Sequence, residues 1–341
     1  MRNKTSTYQF KFNVAENNII YKHISQVIAR DIEKGILQKN FQLPSINEFS
    51  NKYSVGRDTV EKAYGELKKQ DYIRSFPGKG SFVTGRKRSK IKVLLVFNKL
   101  SSYKKIIYDS LIKTLGTKAH VDLHIHHYDP RILKEIIENN LGKYDYYIIM
   151  PHFFHNAKHK EYLSILNSIP SNELVLLDKD VNGVDHTMAV YQNFKLDIYH
   201  ALVSTKERVK KYHQIKMVFP DITHHPVEII EGVKEFCNKT KMSFSVIRDL
   251  ENEKINSGTL YIVIEDPDLA KLIKKVRTTK FELGKQVGII SFNETDLKEL
   301  LNITVITTDF QQMGESVGNM ILRNQPDQLK NPFQIIVRTS L

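Results

Sequence analysis

Six histidines fall in two short groups whose spacing could bind a metal ion. They are His124, His126 and His127 in the first group, and His152, His155 and His159 in the second. The second group would place its imidazoles on one face of a helix, as a zinc site needs. In the first group, His124 and His126 simply share one side of a predicted strand. Neither group has a carboxylate at the spacing of a metal ligand. The sequence therefore predicts no metal site, and His152 and Phe153 are interpreted as contacts to an organic ligand.

A second chemical possibility is Asp178-Lys179-Asp180. Two carboxylates at this spacing suit general acid–base catalysis or a metal ion. They directly follow an apolar stretch, which favours a strand end that hydrogen-bonds ligand hydroxyls, or an Asp178 that only orients Lys179. No Ser-His-Asp arrangement, phosphate-binding loop or dinucleotide fingerprint is visible. We expect neither catalysis nor a cofactor.

The elements that would position these residues begin after residue 90, where short apolar strands alternate with helices. One series predicts strands at 92–97, 121–126, 144–150 and 173–178, and helices at 102–115, 130–140 and 158–168. The next predicts strands at 214–219, 242–247, 260–264, 286–291, 303–307 and 333–338, and helices at 193–211, 226–239, 267–280 and 310–323. Repeated units of this kind imply parallel sheets covered on both faces. Two series predict two lobes with a cleft between them.

Open parallel sheets bind ligands beyond the carboxyl ends of their strands. Those ends are rich here in Asn, Asp, Glu, His and aromatic residues. Carboxylates and amides pair with hydroxyls while rings cover a C–H face, so the pattern favours a sugar or a related metabolite. The predicted effector-binding residues are Ser102, Tyr103, His152, Phe153, Asp178, Lys179, His224, Glu228, Asp266 and Asn293.

The N-terminal quarter of the chain has the pattern of a DNA-binding element. A helix is predicted over residues 18–34, and residues 8–13 could form a short strand or arm. Ser45 and Glu48 then have the spacing of a capping box, and the chain turns at residues 54–56. The next helix begins at Arg57 and buries the stripe Val60, Ala63, Tyr64 and Leu67. A helix that buries one stripe and exposes a basic start is typical of a recognition helix.

The charge distribution agrees with this assignment. The chain has a formal net charge of +13. Residues 1–90 hold 18 Lys and Arg against 8 Asp and Glu, so most of the positive charge belongs to the DNA-binding segment, as phosphate contacts require. Cys237 is the only cysteine, which excludes an intrachain disulfide and predicts a buried, inert thiol. The sequence has no signal peptide or membrane span, so we expect a cytoplasmic protein.

The segment from residue 18 to residue 83 resembles the winged helix-turn-helix of the GntR family of bacterial transcription regulators. The resemblance is carried by Tyr21, Gly35, Leu43-Pro44-Ser45, residues 54–60 and Gly78-Lys79-Gly80-Ser81-Phe82-Val83. It implies that Arg57 contacts a base, that Ser45 and Thr59 hold phosphates, and that the hairpin tip enters the minor groove. The DNA-binding residues are then Ser45, Arg57, Asp58, Thr59, Lys62, Gly78, Lys79 and Gly80. Gly56, Asn47 and Glu61 depart from the pattern, which affects the expected operator sequence.

The second half resembles the effector-binding domain of the LacI family, which is similar to periplasmic sugar-binding proteins. The resemblance rests on residues 287–293, on the segment 303–309, on Met313-Gly314, and on the helix at 227–236. The family's arginine is absent from that helix, and Asn293 stands where an aspartate is common. A GntR-type reader joined to a LacI-type sensor is an arrangement known among sugar-responsive regulators.

We therefore expect a winged helix-turn-helix (α+β) at residues 1–84, a basic linker at 85–90, and an α/β two-lobed periplasmic-binding-protein-like domain with parallel sheets at 91–341. The expected function is that of a transcription regulator, a repressor whose operator affinity is controlled by a small sugar. Its partners would be a palindromic double-stranded DNA operator, a monosaccharide or sugar phosphate, and a second copy of the chain. The alternative is a sugar-processing enzyme with a DNA-binding appendage. A third possibility is an architectural nucleoid protein, which would bind no effector and would prefer no DNA sequence.

Overall fold

The computed structural model describes residues 9–10, 20–85, 90–154, 157–220 and 225–341. These residues form an N-terminal head and two α/β lobes. Within these ranges, no helix is both long and apolar enough to cross a membrane. Tyr8 and Phe12 of the predicted arm, and most of the predicted linker, lie outside the described residues. Phe10 is buried, and its ring lies 5.4 Å from that of Phe49.

The head is a winged helix-turn-helix. Helices α1 (Ile20–Glu33), α2 (Ile46–Tyr53) and α3 (Arg57–Lys69) precede an antiparallel hairpin of β1 (Ile73–Phe76) and β2 (Gly80–Val83). The predicted capping box is confirmed, because Ser45 Oγ accepts from the Glu48 N–H and Glu48 Oε2 accepts from the Ser45 N–H. The predicted stripe of α3 is buried in a core shared with α1, α2 and both strands.

The first lobe is built on a six-stranded parallel sheet. Its spatial order is β13 (Gln328–Lys330), β7 (Met188–Tyr191), β6 (Leu174–Asp178), β5 (Tyr146–Ile149), β3 (Ile91–Phe97) and β4 (Ala119–Ile125). Helices α4 (Ser102–Leu115) and α12 (Phe310–Arg323) cover one face, and α5 (Pro130–Asn140) and α6 (His159–Asn167) cover the other. Both faces are therefore buried, as the apolar strand sequences predicted.

The second lobe has a six-stranded sheet of the same kind. Its order is β14 (Phe333–Ile336), β12 (Thr304–Thr308), β11 (Val287–Phe292), β10 (Thr259–Val263), β8 (Gln214–Val218) and β9 (Ser243–Ile247). Only β14 runs antiparallel to its neighbour among these strands. Helices α7 (Phe194–Ser204) and α9 (Glu228–Thr240) cover one face, and α10 (Asp266–Arg277) covers the other. Short helices α8 (Lys206–Val209) and α11 (Asp296–Leu300) complete the lobe.

Two glycines allow one helix pair in each lobe to pack closely. A Cβ atom on Gly314 of α12 would lie 2.4 Å from the carbonyl oxygen of Ile107 in α4. A Cβ atom on Gly232 of α9 would lie 2.4 Å from the carbonyl oxygen of Lys195 in α7. Only glycine fits at either distance, so these residues fix how near each helix approaches its partner.

The two lobes do not follow each other in sequence as the two predicted series implied. The predicted helix at 310–323 has the expected bounds, but it packs on α4 of the first lobe, and β13 then joins the first sheet. The predicted helix at 193–211 is interrupted, since α7 ends at Ser204. Strands β7 and β13 were not predicted because three or four residues carry too little periodicity.

The chain crosses between the lobes three times, near residues 191–194, 308–310 and 330–333. These segments are hydrogen-bonded to one another. The Asn331 side chain donates to Thr308 Oγ1 at 2.7 Å and to the Asp309 carbonyl at 2.9 Å. The Asn331 N–H donates to the Tyr191 carbonyl at 2.8 Å. All three crossings therefore form one connected hinge region.

The head packs against the first lobe through charged side chains in α1 and directly after its last residue. Arg30 Nη1 lies 2.8 Å from Glu173 Oε2, and both side chains are buried. Lys34 Nζ lies 3.5 Å from Asp145 Oδ1, and Asp145 Oδ2 accepts from the Lys92 N–H. Burial raises the pKa of Glu173 to about 7, although the nearby Arg30 charge acts in the opposite direction. These ion pairs attach α1 to the N-terminal ends of strands in the first sheet.

Candidate functional site

The exposed start of α3 is the first candidate site. Gly56 is the N-cap residue and supplies no side-chain cap, which leaves the first N–H groups of the helix open. Arg57, Asp58 and Lys62 are exposed and Thr59 is half-buried. In the described residues neither Arg57 nor Lys62 forms an ion pair with a carboxylate. The structure thus places four of the predicted DNA-binding residues in the first two turns of α3, where the side chains of Arg57 and Lys62 are exposed.

Helix α3 is held at a fixed angle to α2. Ser54 ends α2 in the left-handed conformation, with φ of 53°. The Tyr64 hydroxyl donates to the carbonyl of Pro44 at 2.8 Å, which ties α3 to the start of α2. Ser45 lies at that start and is exposed. Its hydroxyl oxygen already accepts the capping bond, so the hydroxyl hydrogen is what it can offer to a phosphate.

The hairpin tip forms a compact wing. Gly78 and Gly80 have φ of 71° and 99°, values that a β-carbon would strain. The Gln42 side chain donates to the Lys79 carbonyl at 2.8 Å, and Ser75 and Ser81 join the two strands through their hydroxyls at 2.7 Å. The Lys79 side chain is exposed at the tip. The wing therefore presents one lysine on a narrow turn of fixed shape.

A cleft between the two lobes is the second candidate site. Its free space is about 140 Å³. This is below the roughly 300–1,000 Å³ typical of pockets for drug-sized ligands, so the cleft suits a compact ligand. Four phenylalanine rings line the cleft: Phe194, Phe292, Phe310 and Phe333. Polar residues from both lobes line the remainder, in agreement with the strand-end argument.

Asp178 organises the polar side chains of the first lobe. It ends β6 with φ of 73°, and its Oδ2 lies 2.7 Å from His152 Nε2. Gln192 donates to Oδ1, and Lys104 Nζ lies 4.0 Å from Oδ2. Burial opposes ionisation of Asp178, but the His152 hydrogen bond and the Lys104 charge outweigh it and hold the pKa far below its usual range. Burial lowers the pKa of both His152 and Lys104, and Asp178 limits each shift.

The side chains of Asp178-Lys179-Asp180 have three different sets of contacts. A protein donor bonds each oxygen of Asp178, so this residue positions His152 and Gln192 at the edge of the cleft. Lys179 Nζ lies 3.7 Å from Glu228 Oε1 of the second lobe. Asp180 Oδ1 accepts from the Val181 N–H and lies 3.3 Å from His186 Nε2.

The second lobe contributes two carboxylates, each with a basic partner. Glu265 Oε1 lies 2.5 Å from His225 Nε2, and Asp266 Oδ1 lies 2.7 Å from Lys298 Nζ. Lys298 is buried and also donates to the carbonyls of Phe292 and Asn293. Asn293, with φ of 61°, is therefore held at the end of β11 with its side chain beside the cleft.

An aromatic stack closes the cleft near the hinge. The rings of Tyr103 and Phe310 are stacked, with centroids 5.3 Å apart. Burial and the carboxylates of Asp266 and Glu265 raise the pKa of Tyr103 well above its usual value. Its hydroxyl therefore stays protonated and can donate a hydrogen bond at neutral pH.

The structure brings together half of the predicted effector-binding residues. Those that border the cleft are Tyr103, His152, Asp178, Asp266 and Asn293. Ser102 is exposed on the far side of the first turn of α4, and Phe153 stacks on Tyr162 at 4.6 Å. Lys179 and Glu228 join the lobes but do not line the cleft. His224 lies outside the described residues.

Several residues that line the cleft were missing from the predicted set. They include Asn98, Lys99, Lys104, Gln192, His225 and Glu265. Four of them, Asn98, Lys99, His225 and Glu265, lie in segments that follow predicted strands, so the strand-end rule covers them although they were not selected as contacts. Gln192 follows a strand that was not predicted. Lys104 lies within a helix, where its spacing gives no sign that it faces a ligand.

The histidine groups have other roles in the structure. His126 is fully buried, and its Nε2 lies 3.0 Å from the Met150 carbonyl oxygen. Burial lowers its pKa to about 4, so it is neutral at physiological pH. In the described ranges no group of three metal-binding side chains comes together, and His155 lies outside them. Cys237 is buried as predicted, and burial raises the pKa of its thiol to about 12.

Residues 20–83 match the family described as "Bacterial regulatory proteins, gntR family". Among curated proteins, the uncharacterized regulator YurK of Bacillus subtilis is 37% identical over 22% of this chain and 31% of its own length. The probable fructoselysine utilization operon repressor of Escherichia coli is 32% identical over 21% of this chain and 29% of its own length. The match therefore spans about a third of the length of these relatives. The head is a GntR-type DNA-binding domain.

Two solved structures each cover 73% of the chain, which is about the share that the two lobes make up. The trehalose repressor from Escherichia coli has a TM-score of 0.59 and 13% identity, covering 73% of this chain and 100% of that one. A LacI family regulator from Silicibacter pomeroyi has a TM-score of 0.60 and 14% identity, covering 73% of this chain and 98% of that one. At this identity the likeness shows the fold, which is the two-lobed fold of LacI-type and periplasmic-binding proteins.

Proposed function

We propose that this chain is a transcription regulator that binds an operator through its head and releases it when a small sugar binds between its lobes. The observation that carries the proposal is the match of residues 20–83 to a DNA-binding family, together with an exposed basic start of α3. The named relatives include a probable repressor of fructoselysine utilization and a trehalose repressor. A repressor that responds to a sugar is therefore the function we assign. We divide the chain as the sequence suggests, into a reader at 1–84, a linker at 85–90 and a sensor at 91–341.

In this proposal the start of α3 lies in the major groove. Arg57 reads a base, because its five donors can bond a guanine edge in two places. Ser45 and Thr59 hold phosphates, and Asp58 and Lys62 flank the base contact. The wing residues Gly78, Lys79 and Gly80 reach the adjacent minor groove. Two copies of the chain would bind the two halves of a palindromic operator.

The ligand acts by changing the relative position of the lobes. A sugar that contacts both walls of the cleft favours the closed arrangement, and it shifts the equilibrium only as far as its affinities for the two arrangements differ. The head is attached to the first lobe through Arg30 and Glu173, so it moves with that lobe. A change in lobe angle then changes the spacing of two heads in a dimer, which lowers affinity for a palindrome.

The base-reading role is tested with a duplex selected from a random library by the wild-type chain. We expect Arg57→Ala to reduce binding of that duplex to the level of unrelated DNA, because a bidentate base contact contributes about 1–3 kcal/mol of discrimination. Lys69→Ala is the matched control, since Lys69 is an exposed basic residue at the other end of α3. Specific binding that survives Arg57→Ala would refute the assigned role, and failure of the wild-type chain to enrich any sequence would refute the function.

A further inference from the structure

The charges that border the cleft are unevenly paired. Each of its three carboxylates, Asp178, Glu265 and Asp266, lies within 4.0 Å of a basic side chain. Lys99 also lines the cleft, yet in the described residues it has no carboxylate partner. The wall formed by the first lobe therefore carries a positive charge that no carboxylate of the described residues neutralises.

Lys104 adds a second ammonium group beside Lys99. It is 8% exposed, and its Nζ lies 4.0 Å from Asp178, which is beyond hydrogen-bond distance. No acceptor bonds this ammonium within the described part of the chain. The charge of Lys99 contributes to lowering the pKa of Lys104, so the two lysines are close enough to repel each other. Two buried or half-buried cations without acceptors favour binding of an anion.

The first turn of α4 lies at the same place. Ser101 caps this helix, and both Ser101 and Tyr103 line the cleft. The first N–H groups of a helix have no partner within it, and the helix dipole adds a partial positive charge. Such a helix start binds phosphate or carboxylate groups.

Asn98 supplies independent support for a bound ligand. It lines the cleft at the end of β3 and is 4% exposed, yet its Oδ1 has no hydrogen-bond donor among the described residues. A buried acceptor without a donor destabilises the folded chain, and a ligand hydroxyl would remove that cost. The ligand therefore needs both an anionic group and a hydroxyl group.

We infer that the cleft binds an acidic sugar, whose phosphate or carboxylate is held by Lys99, Lys104 and the first turn of α4 while a hydroxyl donates to Asn98. The inference rests on the proposed function and names the class of its effector. The carboxylates and rings of the opposite wall then face the remaining hydroxyls and C–H groups of the sugar. A neutral sugar leaves Lys99 without a counter-charge and leaves Lys104 with Asp178 as its only carboxylate partner among the described residues.

The test measures the melting temperature of the full chain with inorganic phosphate, hexose 6-phosphates, hexuronates and the matching neutral hexoses. A ligand that binds the native state raises this temperature. We expect phosphate and at least one acidic sugar to raise it, and the neutral hexoses to raise it less. Hexose phosphates and hexuronates separate the two possible sources of the anion.

Lys99→Gln decides where the anion binds. We expect roughly tenfold weaker binding in this variant, because one charge-assisted hydrogen bond is lost. Lys113→Gln is the control, since Lys113 is exposed near the C-terminal end of α4 and its substitution should leave binding unchanged. The comparison also removes any contribution from phosphate bound to the head, which both variants retain.

Three results would overturn the inference. They are neutral hexoses that stabilise the chain as much as their acidic counterparts, a Lys99→Gln variant that binds anions like the wild type, and no stabilisation by phosphate or by any acidic sugar. None of these results refutes the proposal that the chain is a transcription regulator. That proposal fails instead if the wild-type chain selects no DNA sequence.

Discussion

At the scale of single residues, Asp178 determines the shape of the polar wall of the cleft. Its two oxygens hold His152 and Gln192, and its charge lies beside Lys104. Replacing Asp178 with asparagine keeps the shape of the side chain, but it places an NH₂ group against the donor of either His152 or Gln192. Because the whole group is buried, its partners would be left without a counter-charge.

We expect Asp178→Asn to lower the free energy of unfolding by about 3–5 kcal/mol at neutral pH, the usual cost of breaking a buried ion pair. Urea unfolding measures it, and Asp180→Asn, at a more exposed carboxylate, should cost at most about 1 kcal/mol. The pKa of Asp178 is depressed in the folded state, so its contribution is present above its unfolded pKa. The difference between wild type and variant should therefore shrink below about pH 4. If Asp178→Asn were as stable as Asp180→Asn, the role of Asp178 in positioning its neighbours would be contradicted.

The strand-end rule found Asp178 and His152 from the sequence because each follows an apolar strand that could be recognised. It did not identify the partners of Asp178, since sequence does not show which donors the fold brings to a carboxylate. The Lys104 ammonium lies beside Asp178, although Lys104 belongs to α4, which follows β3, and Asp178 ends β6. Contacts of this kind depend on the packing of distant segments, and no local pattern encodes them.

At the scale of secondary-structure elements, the wing and the recognition helix can be tested separately. Gly80 has φ of 99°, and a Cβ atom there would lie 3.0 Å from Gln42 Nε2. Alanine at this position strains the turn and pushes against the side chain that fixes the tip. Gly65 lies within α3, where a Cβ atom would meet nothing within 4 Å.

We expect Gly80→Ala to weaken binding of the selected duplex by misplacing Lys79, while the rest of the head stays folded. Gly65→Ala should instead raise the stability of the head by up to about 1 kcal/mol, because alanine favours a helix over glycine. Fluorescence anisotropy measures duplex affinity, and circular dichroism melting measures stability. Unchanged affinity of Gly80→Ala would show that the wing does not contribute to binding.

The elements themselves were largely predictable, whereas their arrangement was only partly so. The bounds of α12 could be read from its apolar periodicity, because a long amphipathic helix repeats its signal over several turns. Its return to the first lobe could not, since both faces of both sheets accept an apolar helix. Gly314 allows α12 to pack closely against α4. The sequence does not show this close approach, which becomes visible only from the Cβ distances in the structure.

At the scale of the whole molecule, the contact between head and first lobe is sensitive to pH. Glu173 is buried at this contact beside Arg30, and burial raises its pKa to about 7. A carboxyl group with a raised folded pKa contributes stability that is fully present below its unfolded pKa, near 4.5. That contribution is lost as the pH rises through about 7.

We expect wild type to lose about 3 kcal/mol of stability, relative to Glu173→Gln, as the pH rises from about 4.5 to above 7. Unfolding followed at several pH values in this range measures the difference. Glu161→Gln is the control, since Glu161 is exposed and its substitution should give no slope. A difference that grows as the pH rises would contradict the assignment of this carboxyl.

The central claim is that ligand in the cleft and DNA on the head oppose each other. The most direct measurement is the affinity for the selected duplex, with and without a saturating acidic sugar, paired with the affinity for that sugar with and without the duplex. Because binding linkage is reciprocal, we predict that each ligand weakens the other by the same factor. A sugar that binds the cleft tightly and leaves duplex affinity unchanged would contradict the account.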